Sequence, residues 1–367
     1  MWRSLRKFLL TSLLFNLYSY FWINFASSTP LSDENLNSKE SLRKVLEQVS
    51  GIYLDSAKAI NLKLEKTILL TACNFGFVNH LHNFECFAKR LKMKFLVIAM
   101  DQAAHDYITH NTSMLSYHMV GGDIGEVTST STEFRSKQFN LITAKKKEIV
   151  HDILKLGYNV VFSDTDVAMV RDPIPHLLWG NVDYVHSLNN MCNLNEEWSF
   201  HKSKVEGNTG FYYIKASENA VKQWHEAYLA TAKYPRLDDQ AVFWKVIRTT
   251  KDPLNLPIGR CRHYNTEQDK AHISKSFSSK PLVSCMLDTC MFSSGMISNI
   301  YVPEFTYERL LTNLQATNSS IITLHANYLS GNKKKMNRMK EYGFWLSERR
   351  NNEWICKPYV PFEYMKN

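Results

Sequence analysis

Proline and glycine are scarce in this chain, 10 and 13 of 367 residues, and no internal repeat or low-complexity tract interrupts it apart from one polar run near the N-terminus. That composition is globular, and the length suffices for one large or two ordinary domains with a substantial core. Cysteine is sparse as well. The seven (Cys73, Cys86, Cys192, Cys261, Cys285, Cys290, Cys356) include no CxxC pair, which argues against a structural zinc site. No EF-hand-like ligand loop is present, which removes a Ca²⁺-dependent adhesion module from consideration. Acidic residues are the minority, 35 against 44 basic, giving a net charge of +9. A charge of that sign favours acidic partners such as phosphates.

What is present begins at the N-terminus. In "MWRSLRKFLLTSLLFNLYSYFWINFASS", Arg3, Arg6 and Lys7 precede an apolar run from Phe8 to about Ala26. A run of roughly 18–20 residues fits a bilayer-crossing helix better than a signal-peptide core of about 7–15. Positive charge on its N-terminal side favours a cytoplasmic N-terminus. The expected organisation is therefore a tip and signal-anchor helix over 1–26, a stem over 27–62, a catalytic-type domain over 63–350 and a tail over 351–367. Within the stem, Leu42, Val45, Val49, Tyr53 and Leu54 carry helical spacing. The rest of the chain would lie in an oxidising lumen, where seven cysteines allow at most three bridges and leave Cys73 as a plain core residue. Two sequons, at Asn111 and Asn318, suit that placement.

Downstream, strand and helix alternate. "KTILLTACN" and "KFLVIAMD" read as strands on either side of a helix striped by Phe77, Leu81, Phe84, Ala88 and Leu91. A helix from about Ser136 to Leu156 ends at Gly157, and "YNVVFS" follows as a buried strand. "GFYYIKA", a helix opened by Ser217, a helix in "DDQAVFWKVIR" and a last strand in "SIITLHANY" complete the pattern. Such alternation predicts an α/β fold with a mostly parallel sheet between helices.

In "NVVFSDTDVAMVRDP", two aspartates stand at the mouth of a buried strand, where unpaired charge is expensive. Residues i and i+2 of an extended segment share a face, so Asp164 and Asp166 can aim at one point beyond the sheet. Ligands in open α/β sheets sit there. Two carboxylates suit Mg²⁺ or Mn²⁺, ions that commonly bridge protein to substrate phosphates. Asp172, next to Pro173, reads as an ordinary turn or helix cap, and Asp238 as an N-cap.

"FNLITAKKKEIVHDILKLGYNVVFSDTDVAMVRDP", "GNTGFYYIKAS", "DDQAVFW" and "LHANYLSGNKKKMNRMKEYGFW" occur in an order that resembles glycosyltransferase family 77, the nucleotide-diphospho-sugar transferases that include plant rhamnogalacturonan-II xylosyltransferases. The resemblance runs from about Thr67 to Trp345. It implies a GT-A-type, Rossmann-like fold, a UDP-sugar donor, Mn²⁺ or Mg²⁺ and retention of anomeric configuration. One departure is Ala168-Met169-Val170, where the family carries an aromatic residue after its DxD. By the same resemblance His325 joins Asp164 and Asp166 as metal ligands, and Asp239 with Gln240 takes the catalytic positions. Gly331, Lys334 and Lys335 become a lid over the diphosphate. Thr71 and Asn74, at the first strand's end, are candidates for base and ribose. Of Lys145, Lys146 and Lys147, one is expected to reach phosphate and at least two to face solvent. Gly207-Asn208-Thr209-Gly210 reads as a tight approach that admits a sugar or as an ordinary turn.

The resulting expectation is a single-pass type II Golgi membrane protein with its domain in the lumen. It would move xylose or galactose from a UDP-sugar to a glycan or polysaccharide hydroxyl, and would bind no nucleic acid. The rival is a glycan-binding or scaffold protein on a retired transferase fold, which need not keep the DxD or His325.

Overall fold

The computed structural model describes residues 33–119, 127–132, 136–179, 182–189, 207–250, 254–256, 282–294, 320–327 and 329–360. The expected anchor, the sequon at Asn318, Cys192 and Cys261 lie outside them. Among the described residues no helix is long and apolar enough to cross a membrane. The chain divides into two units, Met1–Lys44 and Val45–Asn367. Described residues of the first belong to the helix Asp33–Val49.

The second unit is built on an eight-stranded sheet. Its strands are β1 (Thr67–Cys73), β2 (Leu96–Ala99), β3 (Leu115–His118), β4 (Asn159–Ser163), β6 (Tyr184–Leu188), β7 (Gly207–Ile214), β8 (Leu254–Leu256) and β9 (Val283–Met286), in the order β3-β2-β1-β4-β7-β6-β9-β8. Strands β3, β2, β1 and β4 are parallel neighbours. β7 runs antiparallel to both β4 and β6, and β6, β9 and β8 are again parallel. The expectation of an α/β fold with a mostly parallel sheet holds, with β7 as the reversed strand. β1 and β4 are apolar almost throughout because both faces of the sheet are covered.

A helix over Val78–Arg90 buries Phe84 and Phe87 completely, and truncating either to alanine costs about 3–5 kcal/mol. Helix Lys137–Lys155 starts where Ser136 Oγ accepts the Phe139 amide at 3.1 Å and stops at Gly157, whose φ of +84° suits glycine. Helices Glu218–Lys233 and Asp239–Thr250 bury Trp224, Phe243 and Trp244, which surround the ring of Tyr184.

A smaller sheet joins β10 (Phe292–Ser294), β11 (Thr323–His325) and β5 (Val167–Met169), with β11 antiparallel to β5. This pairing matters for the site, because β5 begins directly after Asp166 and β11 ends in His325.

Both domain ends differ from expectation. The predicted stem does not extend to residue 62, since Val45 onward belongs to the folded unit. Gly51 and Ile52 take positive φ and break the helical run. Tyr53 turns inward, its hydroxyl donating to the Asp172 carboxylate (2.6 and 2.8 Å to the two oxygens), and Lys58 Nζ pairs with the same group at 2.7 Å. Leu54 stays 67% exposed. Asp172 thus does more than cap the turn at Ile174, whose amide it accepts at 3.1 Å. The predicted tail is also structured to residue 356, as a hairpin of β12 (Ser347–Arg350) and β13 (Glu353–Cys356). A disulfide ties Cys356 to Cys86. Cys285 and Cys290 are also disulfide-bonded, and Cys73 is the buried free thiol expected of it.

Candidate functional site

The chain turns sharply between β4 and β5. Ser163 ends β4, and the Val167 amide donates to the Asp164 carbonyl at 3.1 Å, closing a turn over Asp164–Val167. The two carboxylates therefore converge through a turn rather than by extended-strand alternation. Register supplies the third group. His325 pairs with Val167 across β11 and β5, and the Ala326 amide donates to the Asp166 carbonyl at 3.0 Å. Imidazole Nε2 lies 3.3 Å from Asp166 Oδ1 and 3.9 Å from Asp164 Oδ2. One ligand atom from each of Asp164, Asp166 and His325 falls within 4.8 Å of the others.

Glycine makes this convergence sterically possible. A Cβ on Gly210, in β7, would stand 2.3 Å from His325 Cε1, 2.8 Å from Asp164 Oδ2 and 2.9 Å from Asn208 Oδ1. The Asp164 amide donates to the Gly210 carbonyl at 2.7 Å, so the backbones already touch there. The "GNTG" segment is thus a close-approach strand rather than a turn.

Two lysines reach the carboxylates. Lys335 Nζ lies 2.5 Å from Asp166 Oδ2, and Lys146 Nζ bonds Asp164 Oδ1. Burial raises the Asp166 carboxyl, but Lys335 and His325 outweigh it and hold the group well below the usual carboxylate range. Burial likewise pulls the Lys146 ammonium down, and the charges of Asp164, Asp239 and Asp166 more than restore it. The residues fit a divalent cation: two carboxylates and an imidazole suit Mn²⁺ or Mg²⁺, and the Asp166 carboxyl is already held in its ionised form.

The expectation for the lysine run is corrected. Lys145 and Lys147 are buried, 5% and 2% exposed, and neither faces solvent. Lys147 Nζ donates to the Asp239 carbonyl at 3.0 Å, and desolvation lowers its ammonium to about 8. Lysine stems pack readily against apolar surface while the amine seeks an oxygen, which a charge run does not reveal.

Asp238 is the expected cap, accepting the Ala241 amide at 2.8 Å. This leaves Asp239 at the first turn of its helix. Desolvation raises the Asp239 carboxyl to about 6 against the pull of Lys146 and Lys147. Gln240 enters a chain of amides. Asn208 Nδ2 lies 2.8 Å from Asn189 Oδ1 and 3.5 Å from Gln240 Oε1, and Asn327 Nδ2 donates to the same Asn189 oxygen at 3.0 Å. Sequence reasoning missed Asn189, Asn327 and the pairing of Lys146 with Asp164. A glycine inside an apolar strand was the available signal for Gly210.

Of the lid residues, Gly331 has φ +88° and precedes helix Asn332–Glu341. Lys335 points to the site and Lys334 is exposed. Asn332 and Asn79 exchange side-chain hydrogen bonds at 2.7 and 2.9 Å, fixing the start of that helix. The first-strand candidates do not join the cluster. Thr71 is fully buried within β1 rather than at its end, and Asn74 uses its amide N–H groups on the Thr128 and Thr130 carbonyls, at 3.0 and 2.8 Å.

Residues 91–339 match the family described as nucleotide-diphospho-sugar transferase. The chain is 23% identical over 293 residues to beta-arabinofuranosyltransferase RAY1 of Arabidopsis thaliana, covering 80% of this chain and 50% of that protein. It is 21% identical over 313 residues to the UDP-galactose:fucoside alpha-3-galactosyltransferase of Dictyostelium discoideum (78% and 44%). It is 23% identical over 283 residues to UDP-D-xylose:L-fucose alpha-1,3-D-xylosyltransferase 3 of Arabidopsis thaliana (77% and 67%). The chain thus spans about half the length of the first two relatives. Among solved structures, the glycosyltransferase GlyE of Streptococcus pneumoniae TIGR4 aligns at 10% identity and a TM-score of 0.39, over 76% of this chain and 64% of its own.

Proposed function

The chain belongs to the nucleotide-diphospho-sugar transferase family, and from that premise we propose a metal-dependent retaining glycosyltransferase with a GT-A fold. It takes a UDP-sugar, xylose or galactose, and transfers the sugar to a glycan hydroxyl. The observation that carries this is the meeting of Asp164, Asp166 and His325 within 4.8 Å, with Lys335 on one carboxylate and Lys146 on the other. A retired fold has no need of such a cluster. The donor rests on the relatives' names, which specify UDP-galactose and UDP-D-xylose, and retention on the likeness to glycosyltransferase family 77.

Asp164, Asp166 and His325 would hold Mn²⁺ or Mg²⁺, which when bound supplies charge to offset that of the donor diphosphate. Lys335 and Lys146 bring two ammonium groups to the same point and stabilise negative charge on the departing UDP. Asp239, across from Lys146, faces the sugar and stabilises positive charge developing at its anomeric carbon. The acceptor hydroxyl oxygen bonds the anomeric carbon from the face that UDP leaves as the bond to the diphosphate oxygen breaks, and the hydroxyl proton passes to the departing diphosphate.

The test is incubation with a panel of UDP-sugars and Mn²⁺. UDP release without acceptor is expected with one donor, and with acceptor an α-linked donor gives an α-linked product by proton NMR. A β product contradicts retention, and no UDP release with any donor contradicts the transferase.

Asp239 must be ionised for this role, so turnover is expected to fall as pH drops through about 6. Asp239→Asn should lower kcat at least about tenfold, about 1.4 kcal/mol of barrier, flatten the acid limb and leave UDP affinity nearly unchanged. Stability moves oppositely. Because the folded carboxyl holds its proton above the usual 3.8, ionisation lowers stability as pH rises from about 4 to about 6. The asparagine variant escapes that loss and should melt no lower than wild type at pH 7. Equal losses in kcat and UDP affinity would make Asp239 a binding residue instead.

The proposal also places the protein in the Golgi membrane, anchored through residues 8–26, with the second unit lumenal. The disulfide between Cys86 and Cys356 supports an oxidising compartment. Asn111, exposed at the end of helix Gln102–Asn111, is expected to carry glycan, read as a gel shift on glycosidase treatment. Digestion of the C-terminal part by protease outside sealed vesicles would contradict this topology.

A further inference from the structure

A groove of about 910 Å³ is lined by Met336 and Lys340, by Trp345, and by Arg349, Trp354 and Lys357. Met336 and Lys340 stand four residues apart on helix Asn332–Glu341 and so share a face. Lys335 is one position, about 100°, away from that face, and reaches Asp166 instead. One helix therefore presents one side to the metal-type cluster and another to this groove.

The groove has fixed walls. Trp345 is only 6% exposed, and Trp354 stacks on His82 with ring centroids 4.5 Å apart and donates Nε1–H to the Tyr107 hydroxyl at 2.9 Å. Arg349 pairs with Trp354 across the hairpin, so both side chains lie on one face. The Cys86–Cys356 bridge pins that hairpin, and Asn83 Oδ1 accepts the Leu346 amide at 2.6 Å beside it.

Its charge is one-sided. Lys340, Arg349, Arg350 and Lys357 line the groove, and the acidic lining residue, Glu348, is held by Arg350 at 3.0 Å. Lys340 Nζ lies 5.8 Å from the Trp345 ring centroid. The half-exposed indole of Trp354 matches the C–H face of a sugar ring, while ammonium and guanidinium groups match carboxylate or sulfate. A concave site with a partly exposed indole and several cationic side chains suits a chain that lies in it better than a flat lipid surface.

We propose that this groove binds a negatively charged oligosaccharide, carboxylated or sulfated, as a subsite for the acceptor glycan. The acceptor role rests on the transferase reading, whereas the binding itself does not. The full chain is titrated by calorimetry at low salt with a hexameric uronate oligosaccharide, a heparin hexasaccharide and a neutral dextran hexamer. Anionic lipid vesicles containing phosphatidylserine serve as competitor. At least one anionic hexamer is expected to bind at least tenfold more tightly than dextran and to weaken with added salt. The triple variant Lys340→Gln/Arg349→Gln/Lys357→Gln should bind it at least tenfold more weakly than wild type while acceptor-free UDP-sugar hydrolysis is unchanged. Equal binding of dextran, equal binding by the variant, or displacement of the oligosaccharide by vesicles overturns the proposal. Anionic binding without any UDP-sugar hydrolysis in the wild type removes the transferase reading and leaves a glycan-binding groove.

Discussion

Gly210→Ala is expected to abolish divalent-dependent UDP binding while the protein still folds. The added Cβ would stand 2.3 Å from His325 Cε1 and 2.8 Å from Asp164 Oδ2. Both distances are well inside van der Waals contact, so one group must move. Neither has easy room. Asp164 is held by its amide bond to the Gly210 carbonyl and by Lys146, and His325 sits in β11 between β10 and β5. A shift that parts imidazole from carboxylate destroys the spacing that a single cation requires. Overpacking of this kind costs about 1–3 kcal/mol in stability. The UDP affinity measured with Mn²⁺ should fall at least about a hundredfold, about 2.7 kcal/mol. Gly157→Ala is the control. Its φ is +84° and nothing lies within 4 Å of the added Cβ, so it should lose about 1–2 kcal/mol of stability with Mn²⁺-dependent UDP binding intact. If Gly210→Ala binds UDP and Mn²⁺ like wild type, the cluster does not work at the spacing described here.

The contrast between these two glycines shows what a sequence makes legible. Gly157 ends a helix, a local signal, and was placed correctly. Gly210 matters because β7 passes beside β4 and β11 ends opposite, a meeting of three distant segments. Asp164 and Asp166 were legible because they are neighbours at the end of one strand, although a turn, not strand alternation, brings them together. His325 came only from the likeness of the closing motif, and the β11–β5 register supplies the reason for it. The lysine run was misread since a helix phase says which residues share a face, not which face a carboxylate will occupy. Asn74 follows the end of β1 as expected, but its amide is taken by the loop over residues 127–132, and Thr71 lies buried inside the strand, two contexts that strand propensity does not reveal. The Tyr53–Asp172 contact and the C-terminal hairpin went unseen because a side-chain hydrogen bond and a disulfide to Cys86 leave no periodic trace.

Asp166 carries the second large effect. If Asp164, Asp166 and His325 hold a cation that also contacts UDP, metal and UDP must strengthen each other's binding by the same factor. Calorimetry on the wild type should then show weak UDP binding in chelator and binding at least about a hundredfold tighter with Mn²⁺, about 2.7 kcal/mol of coupling. Asp166→Ala should erase the difference, because it removes the most buried of the three ligands and leaves Asp164 and His325 alone. The metal-free protein should also lose stability. Two neighbouring carboxylates by themselves repel, and on that count alone removing one would be favourable. Lys335 at 2.5 Å and His325 at 3.3 Å reverse that sign, and deleting one partner of a buried pair leaves the other uncompensated. Lys335→Ala separates the two roles of that lysine. Its ammonium competes with a cation for Asp166 Oδ2, so the variant should bind Mn²⁺ alone more tightly than wild type. It should nevertheless bind UDP in the presence of Mn²⁺ more weakly, having lost a positive charge beside the diphosphate. Were Lys335 only a structural partner of Asp166, both affinities would move in the same direction. Should UDP affinity prove indifferent to divalent metal in the wild type, the carboxylate pair is not a metal site and the mechanism built on it is wrong.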